Sequence, residues 1–85
     1  MENNNIKIAQ KLGAAIRRAR KMLKLSQTQL ADLAGVSLNY ISQLEKGKSK
    51  AQLDTLLNVL EVLGLELTLG TGSSKLVISK DIDFK

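Results

Sequence analysis

The sequence predicts a mainly α-helical fold, in which four short helices precede a short C-terminal β-strand. Three observations lead to this prediction. Apolar residues recur every three or four positions up to residue 63, which is the spacing of amphipathic helices. Asparagine, serine or glycine stands near the ends of these segments, where helices are usually capped. After Gly64, apolar and polar residues alternate, which is typical of a strand.

The first helix is expected to start at Asn4 or Asn5 and to run to about residue 24. The other three helices are expected at about residues 27–34, 38–46 and 52–63. The strand at residues 65–69 needs a partner strand, because an isolated strand is unstable in water. That partner is either residues 75–79 of the same chain, which would form a hairpin, or a second copy of the chain.

Composition restricts the classes of function. The chain has 85 residues, enough for one small domain, and it contains no cysteine and no histidine. Disulfides, Cys/His zinc sites and histidine acid–base catalysis are therefore excluded, and we expect no metal and no cofactor. No apolar segment reaches membrane-spanning length, and the first residues do not form a signal peptide. We therefore expect a cytoplasmic protein without a membrane partner.

The net charge of +5 is distributed unevenly along the chain. Residues 1–50 carry ten Lys or Arg and three acidic residues, a net charge of +7, whereas residues 51–85 carry three Lys and five acidic residues, a net charge of −2. A basic half of this kind is typical of a surface that faces phosphates. The alternative is an ordinary solvated charged surface.

The most informative segment is residues 26–47, where two short helical patterns flank a tight turn at residues 34–37. This arrangement is typical of a helix-turn-helix, which places its second helix in the major groove of DNA. A purely structural pair of helices shares the spacing. Ser26 is expected to cap the first of these helices, and Ser37 or Asn39 the second.

DNA binding requires base contacts for sequence choice and phosphate contacts for affinity. The residues expected to read bases are Ser37, Leu38, Asn39, Tyr40 and Gln43. The residues expected to bind phosphates are Gln27, at the start of a helix, and Lys46, Lys48 and Lys50, after the recognition helix. Arg17, Arg18 and Lys21 either bind phosphates too or remain solvated.

Two charged residues lie near the ends of apolar helix faces instead of in the basic flank. We expect Arg20 and Glu45 to form a structural ion pair between the first and third helices. The candidate nucleophiles are Ser37, Ser42 and Lys46, but no base or oxyanion arrangement accompanies them. We therefore expect that the protein is not an enzyme.

The segment LSQTQLADLAGVS-x-x-YISQLEKGK resembles the Xre-type helix-turn-helix of phage repressors and controller proteins. The residues at family positions are Gln27, Leu30, Ala31, Gly35, Val36, Ile41, Leu44, Glu45 and Gly47. The resemblance implies a four-helix, lambda-repressor-like domain at residues 1–64. It also implies phosphate contacts by Gln27 and the later lysines, and an internal Arg20–Glu45 ion pair.

The segment TLLNVLEVLGLELTL resembles the end of HipB-like antitoxins, in which a helix runs directly into a strand. The resemblance implies that residues 65–85 serve dimerisation or partner contact, with a small sheet shared by two copies. The expected dimer residues are Leu60, Leu63, Leu65, Leu67 and Leu69. It further implies autorepression from an inverted-repeat operator, and as partner a HipA-like kinase toxin or, in HipBST-like operons, a small partner protein.

Other functions remain open at this point. One is a stand-alone Xre-type regulator, such as a phage repressor or a restriction-modification controller. Another is an interaction module that does not bind DNA, although the basic half and the polar recognition helix argue against it. Residues 75–85 could form a hairpin, join the dimer sheet or dock on a partner.

Overall fold

Four α-helices are followed by two β-strands in a computed structural model, which describes residues 4–48, 52–69 and 76–80, with side chains over 7–48 and 52–66. The elements are α1 (Asn4–Met22), α2 (Gln27–Ala34), α3 (Leu38–Glu45), α4 (Leu53–Leu63), β1 (Leu65–Leu69) and β2 (Leu76–Lys80). The predicted mainly helical fold is confirmed. Within the described part of the chain, every helix is too short or too polar to span a bilayer.

Side-chain caps define the ends of α2 and α3. The Ser26 hydroxyl accepts a hydrogen bond from the Gln29 backbone N–H at 3.0 Å, and the Gln29 side chain accepts one from the Ser26 backbone at 2.8 Å. This reciprocal pair is a capping box. Ser37 caps α3 in the same sense, because its hydroxyl accepts from the Tyr40 backbone N–H at 3.0 Å. Gly35, with a φ of 71°, ends α2 in the left-handed conformation that favours glycine.

Helix α1 ends at Met22, two residues earlier than predicted, because the backbone turns left-handed at Lys24, where φ is 60°. The Lys24 N–H donates to the Lys21 carbonyl at 3.0 Å, and the Leu25 N–H donates to the Arg20 carbonyl at 3.0 Å. These two bonds form a Schellman motif, which normally uses glycine at the left-handed position. A lysine at that position stores backbone strain at the junction between α1 and α2.

The core is aliphatic and receives side chains from all four helices. Its members are Leu12, Ile16, Ala19, Leu30, Ala31, Ala34, Ile41, Leu44, Leu56, Val59, Leu60 and Leu63. The expectation that Leu60 and Leu63 form part of a dimer surface is therefore wrong, because packing within one chain covers both side chains. By contrast, Leu53 and Leu57 are 66% and 46% exposed, although the apolar pattern of α4 predicts them on its packed face.

Helix α1 approaches the end of α3 through glycine. A β-carbon placed on Gly13 would lie 2.4 Å from the Leu44 carbonyl oxygen and 2.7 Å from that of Glu45. A β-carbon on Gly47 would lie 2.9 Å from the Gln10 α-carbon. The two backbones therefore meet without a side chain between them, and this contact sets the position of α3 relative to α1.

The two strands pair with each other in antiparallel orientation, from Leu65 opposite Lys80 to Leu69 opposite Leu76. The predicted second strand is thus present, one residue later than expected. One edge of β1 is paired with β2, so among the described residues a shared dimer sheet can use the other edge of β1 or the outer edge of β2. The side chains of Leu67 and Leu69, and residues 81–85, lie outside the described residues.

Candidate nucleic-acid interface

Helix α3 has an inward and an outward face. Ile41 and Leu44 are buried in the core, whereas Leu38 and Asn39 are exposed and Gln43 is half-buried. Leu38 is 48% exposed, although it is a large aliphatic residue. The outward face therefore offers two amides, which pair well with adenine, and one apolar side chain, which fits a thymine methyl group.

Ser37 caps α3 and is at the same time exposed on the outward face of the helix. Its hydroxyl oxygen accepts the Tyr40 N–H that caps α3, while the residue itself is exposed. The hydroxyl proton is not used by the cap, because the oxygen acts there as an acceptor. Ser37 can therefore cap the recognition helix and donate to an acceptor outside the protein at the same time.

The prediction that Tyr40 reads bases is wrong. The Tyr40 ring packs against the core, and its hydroxyl is buried without a hydrogen-bond partner among the described residues. Burial, and to a smaller extent the negative charge of Asp54, raises the pKa of Tyr40 above its ordinary value. The polar atom of this side chain faces the protein interior, so it cannot reach a base edge.

The expected ion pair joins α1 to α3. Arg20 Nε donates to Glu45 Oε2 at 2.6 Å, and Arg20 Nη2 donates to Glu45 Oε1 at 3.1 Å. Arg20 Nη1 also donates to the Leu25 carbonyl at 2.8 Å, which ties the pair to the loop before α2. The Arg20 and Glu45 side chains are 10% and 4% exposed. The hydrogen bond to Glu45 raises the pKa of Arg20, against the lowering effect of burial.

Gln27 belongs to the same cluster. Its Nε2 donates to Glu45 Oε1 at 3.1 Å, which orients the Gln27 side chain. An amide nitrogen carries two N–H groups, so the phosphate contact of Gln27 stays a prediction. An anion at this position would also meet the start of α2, where the first backbone N–H groups have no partner within the helix. Glu45 thus connects α1, α2 and α3.

The predicted phosphate-binding lysines are partly described. Lys46 and Lys48 are exposed on either side of Gly47, directly after the recognition helix. The Lys48 N–H donates to the Gln43 carbonyl at 3.0 Å, so the turn that carries both lysines is fixed to the end of α3. Lys50 lies outside the described residues.

On α1, the three further cations of the sequence prediction, Arg17, Arg18 and Lys21, are exposed. Gly13, on the same helix, allows α1 to lie directly against the backbone of α3. The signal available in the sequence was a glycine inside an otherwise regular helical pattern, at a position where it costs helix stability unless close packing requires it.

The comparisons with known sequences agree with this geometry. The family model described as helix-turn-helix matches residues 16–69. The chain is 44% identical over 62 residues to the uncharacterized HTH-type transcriptional regulator y4mF of Sinorhizobium fredii, covering 73% of this chain and 82% of that protein. It is 30% identical over 73 residues to the immunity repressor protein of Bacillus phage phi105, covering 86% of this chain. The match spans only about half of the phage protein, 51% of its length.

A solved structure has the same fold. The restriction-modification controller protein C.AhdI from Aeromonas hydrophila superposes with a TM-score of 0.67 at 28% sequence identity. The superposition covers 72% of this chain and 88% of that chain.

Proposed function

Because the chain belongs to the Xre-type helix-turn-helix family of DNA-binding transcriptional regulators, we propose that it represses its own operon by binding an inverted-repeat operator as a homodimer. The observation that carries this proposal is the outward face of α3, which presents Leu38, Asn39 and Gln43. Glu45, at the end of the same helix, accepts hydrogen bonds from Arg20 of α1 and Gln27 of α2 and so holds α3 in place. Similarity to a protein named as an immunity repressor supports repression as the outcome of binding.

In the proposed complex, α3 lies in the major groove. Asn39 and Gln43 hydrogen-bond to base edges, and Leu38 contacts a thymine methyl group. Lys46 and Lys48 bind phosphates, and the N-terminus of α2 at Gln27 binds a further phosphate through its backbone N–H groups. Binding falls steeply with salt, because each neutralised phosphate releases counterions.

Two copies of the chain place two recognition helices about 34 Å apart, which is one turn of DNA. We propose that the copies join through the edge of β1 that β2 leaves unpaired, because a free strand edge presents backbone N–H and C=O groups to a second strand. Leu65, Leu67 and Leu69 supply the apolar side chains, while Leu60 and Leu63 support the sheet from the core.

The dimer is tested with Leu67→Lys. Sedimentation equilibrium is expected to show a dimer for the native chain and a monomer for the variant, with helical circular dichroism unchanged. Operator affinity should fall together with dimerisation. A variant that remains dimeric and binds the operator as before would show that β1 is not the interface.

We further propose that the chain is the antitoxin-side component of a HipBA- or HipBST-like toxin–antitoxin operon, with no catalytic activity of its own. The direct run of α4 into β1 through Gly64 supports this assignment. The expected partner is a HipA-like kinase toxin or its small partner protein. Co-expression with the neighbouring gene tests it: a kinase-like product should co-purify with this chain.

A second candidate is a stand-alone regulator, either a phage repressor or a restriction-modification controller. The similarity to the phi105 repressor and to the controller C.AhdI favours it specifically. The neighbouring gene separates the two candidates. A kinase-like gene supports the toxin–antitoxin operon, whereas a methyltransferase or phage gene supports the stand-alone regulator.

Footprinting on the DNA upstream of the chain's own gene tests the central proposal. At low and at physiological salt, we expect a protected inverted repeat with half-sites one helical turn apart. Protection without two-fold symmetry would exclude the homodimer. No specific protection at either salt would exclude autorepression by the chain alone.

A further inference from the structure

Helix α1 carries a shallow groove beside the first residue of β1. Its apolar lining consists of Ala14, Ala15, Ala19, Met22 and Leu65. Two cationic residues, Lys11 and Arg18, line the same groove, and both are exposed. Met22 is 60% exposed, although it is a large apolar residue. The groove therefore presents an apolar strip with positive charge along it.

Helix α4 presents an apolar strip with negative charge. Leu53 and Leu57 lie about one turn apart on its outward face, and both are exposed. Two acidic residues, Asp54 and Glu61, are exposed beside these leucines. We refer to these four residues as the α4 surface. Its chemistry is complementary to that of the groove on α1.

The charges of the two surfaces have the same spacing. Lys11 and Arg18 are seven residues apart on α1. Asp54 and Glu61 are likewise seven residues apart on α4. Seven helical residues span about 10 Å, so the two cations can face the two acids along parallel axes. Within the described part of the chain, none of these four side chains forms an ion pair.

The handedness of the helix decides how the two surfaces align. Viewed from its N-terminus, a right-handed helix advances clockwise by about 100° per residue. On α1, Lys11 and Arg18 therefore lie anticlockwise of Met22. On α4, Asp54 and Glu61 lie clockwise of both leucines. The charged sides coincide when the two faces meet with their helices parallel, whereas antiparallel helices would place them on opposite sides.

We infer that α4 of one copy of the chain packs in the α1 groove of another copy, with the two helices parallel. Lys11 then faces Asp54, and Arg18 faces Glu61 about two turns later. Because two different surfaces meet, the contact is heterologous and can join one copy, or one dimer, to the next. It uses neither the edge of β1 nor α3, so the inference does not depend on the proposed dimer or on DNA binding.

The association is expected to be weak. Ion pairs at exposed positions add little affinity and mainly select the partner and its alignment. The contact should therefore form at high protein concentration, and salt should weaken it because salt screens exposed charges.

Charge exchange tests the contact in the full chain. The groove variant carries Lys11→Glu and Arg18→Glu, and the α4 variant carries Asp54→Lys and Glu61→Lys. Sedimentation equilibrium at low salt measures how the average mass rises with protein concentration, and circular dichroism checks that each variant is folded. The rise should be smaller in each double variant than in the native chain and should return when all four substitutions are combined. A rise caused by the β1 edge would be the same in all four proteins.

An equimolar mixture of the two double variants shows whether the contact lies between copies. Each variant supplies the charges that the surface of the other requires, so the mixture should associate more than either variant alone. Both variants keep a positive net charge, so attraction between their net charges cannot produce this result.

Arg17→Glu with Lys21→Glu is the matched control, because it changes the net charge as the groove variant does, at exposed positions on the neighbouring side of α1. It should keep the native rise. Three results would overturn the inference: an equal rise in the native chain and both double variants, an equal loss in the control, or a folded combined variant that does not regain association. If the Asp54→Lys variants do not fold, Arg18→Glu with Glu61→Lys is compared with its two single variants. The pair should associate more than either single variant, and association no greater than theirs would likewise overturn the inference.

Discussion

Gly13 of α1 faces the carbonyl oxygen of Leu44 in α3, so closely that a β-carbon at position 13 would lie 2.4 Å from that oxygen. Real β-carbons do not approach a backbone oxygen at this distance, and neither backbone can give way without moving a helix. The position of α3 therefore depends on the absence of a side chain at Gly13, 31 residues before Leu44 in the chain.

Gly13→Ala is expected to destabilise the protein. Helix propensity alone predicts a gain of about 1 kcal/mol, but forcing a methyl group against the α3 backbone costs roughly 1–3 kcal/mol or more. The measurement is the free energy of unfolding in urea. Ala14→Gly, at an exposed neighbouring position, should cost about 1 kcal/mol from propensity alone. A Gly13→Ala variant more stable than the native chain would contradict the close approach of α1 and α3.

Glu45→Gln is expected to cost about 3 kcal/mol, because it leaves the Arg20 guanidinium buried without its counter-charge. Urea unfolding of Arg20→Met, of Glu45→Leu and of the double variant that combines them gives the coupling energy between the two positions. The double variant should lose less stability than Glu45→Gln, since no unpaired charge remains. A cost below about 1 kcal/mol for Glu45→Gln would indicate a pair that behaves as solvent-exposed.

Tyr40→Phe is expected to stabilise the protein by about 1 kcal/mol, because it removes a buried hydroxyl that has no hydrogen-bond partner among the described residues. Operator affinity should not change, because the hydroxyl faces the interior. A large loss of affinity with unchanged stability would return Tyr40 to the DNA-contacting surface.

The free energies of unfolding of the native chain and of Tyr40→Phe are expected to depend differently on pH. The pKa of Tyr40 is raised in the folded state above the ordinary value of 10.0. Its contribution to stability is therefore fully present below pH 10 and is lost as the pH rises from there through the folded-state pKa. The free energy of unfolding of the native chain should fall more steeply above pH 10 than that of Tyr40→Phe. The two proteins differ only at position 40, so the difference between their free energies of unfolding isolates Tyr40.

Lys24→Gly is expected to raise the thermal midpoint. A left-handed conformation costs a non-glycine residue roughly 1–2 kcal/mol, and the greater freedom of glycine in the unfolded chain offsets roughly 0.5–1 kcal/mol of this gain. The matched control is Lys21→Gly, inside the last turn of α1, which should lower the midpoint. If the thermal midpoint fell equally in both variants, this would argue against the left-handed turn at Lys24.

Gln43→Ala and Lys48→Ala are expected to weaken DNA binding in different ways. Gln43→Ala should cost about 1–3 kcal/mol on the operator and relax the preference at one base pair, while non-specific binding stays the same. Lys48→Ala should weaken operator and non-specific DNA alike and reduce the salt slope by about one. Titrations at several salt concentrations measure both effects. Uniform weakening by Gln43→Ala would make Gln43 a phosphate contact.

The elements that local chemistry defines were predictable from the sequence. The bounds of α2 match the prediction and those of α3 match it to one residue, because Ser26, Gly35 and Ser37 act on backbone groups within a few positions of themselves. The ion pair of Arg20 with Glu45 was also predictable, since charged residues at the ends of apolar faces need a partner.

Features that depend on distant contacts were not predictable. The apolar stripe of α4 showed that a face would be buried, but not that Leu60 and Leu63 are covered within one chain while Leu53 remains exposed. Tyr40 has a polar group that suits DNA, and only the position of the core decides against it. The hydrogen bond from Gln27 to Glu45 likewise depends on how the helices pack.

Helix α3 divides its eight residues between two tasks. Ile41, Leu44 and Glu45 are bound into the protein, whereas the side chains of Leu38, Asn39 and Gln43 form no hydrogen bond within the described part of the chain. Exchange of these three side chains is therefore expected to change stability less than exchange of the buried residues of α3. Paralogous regulators in one cell can diverge at these positions and become insulated from one another, and a designer can retarget the scaffold without restabilising it.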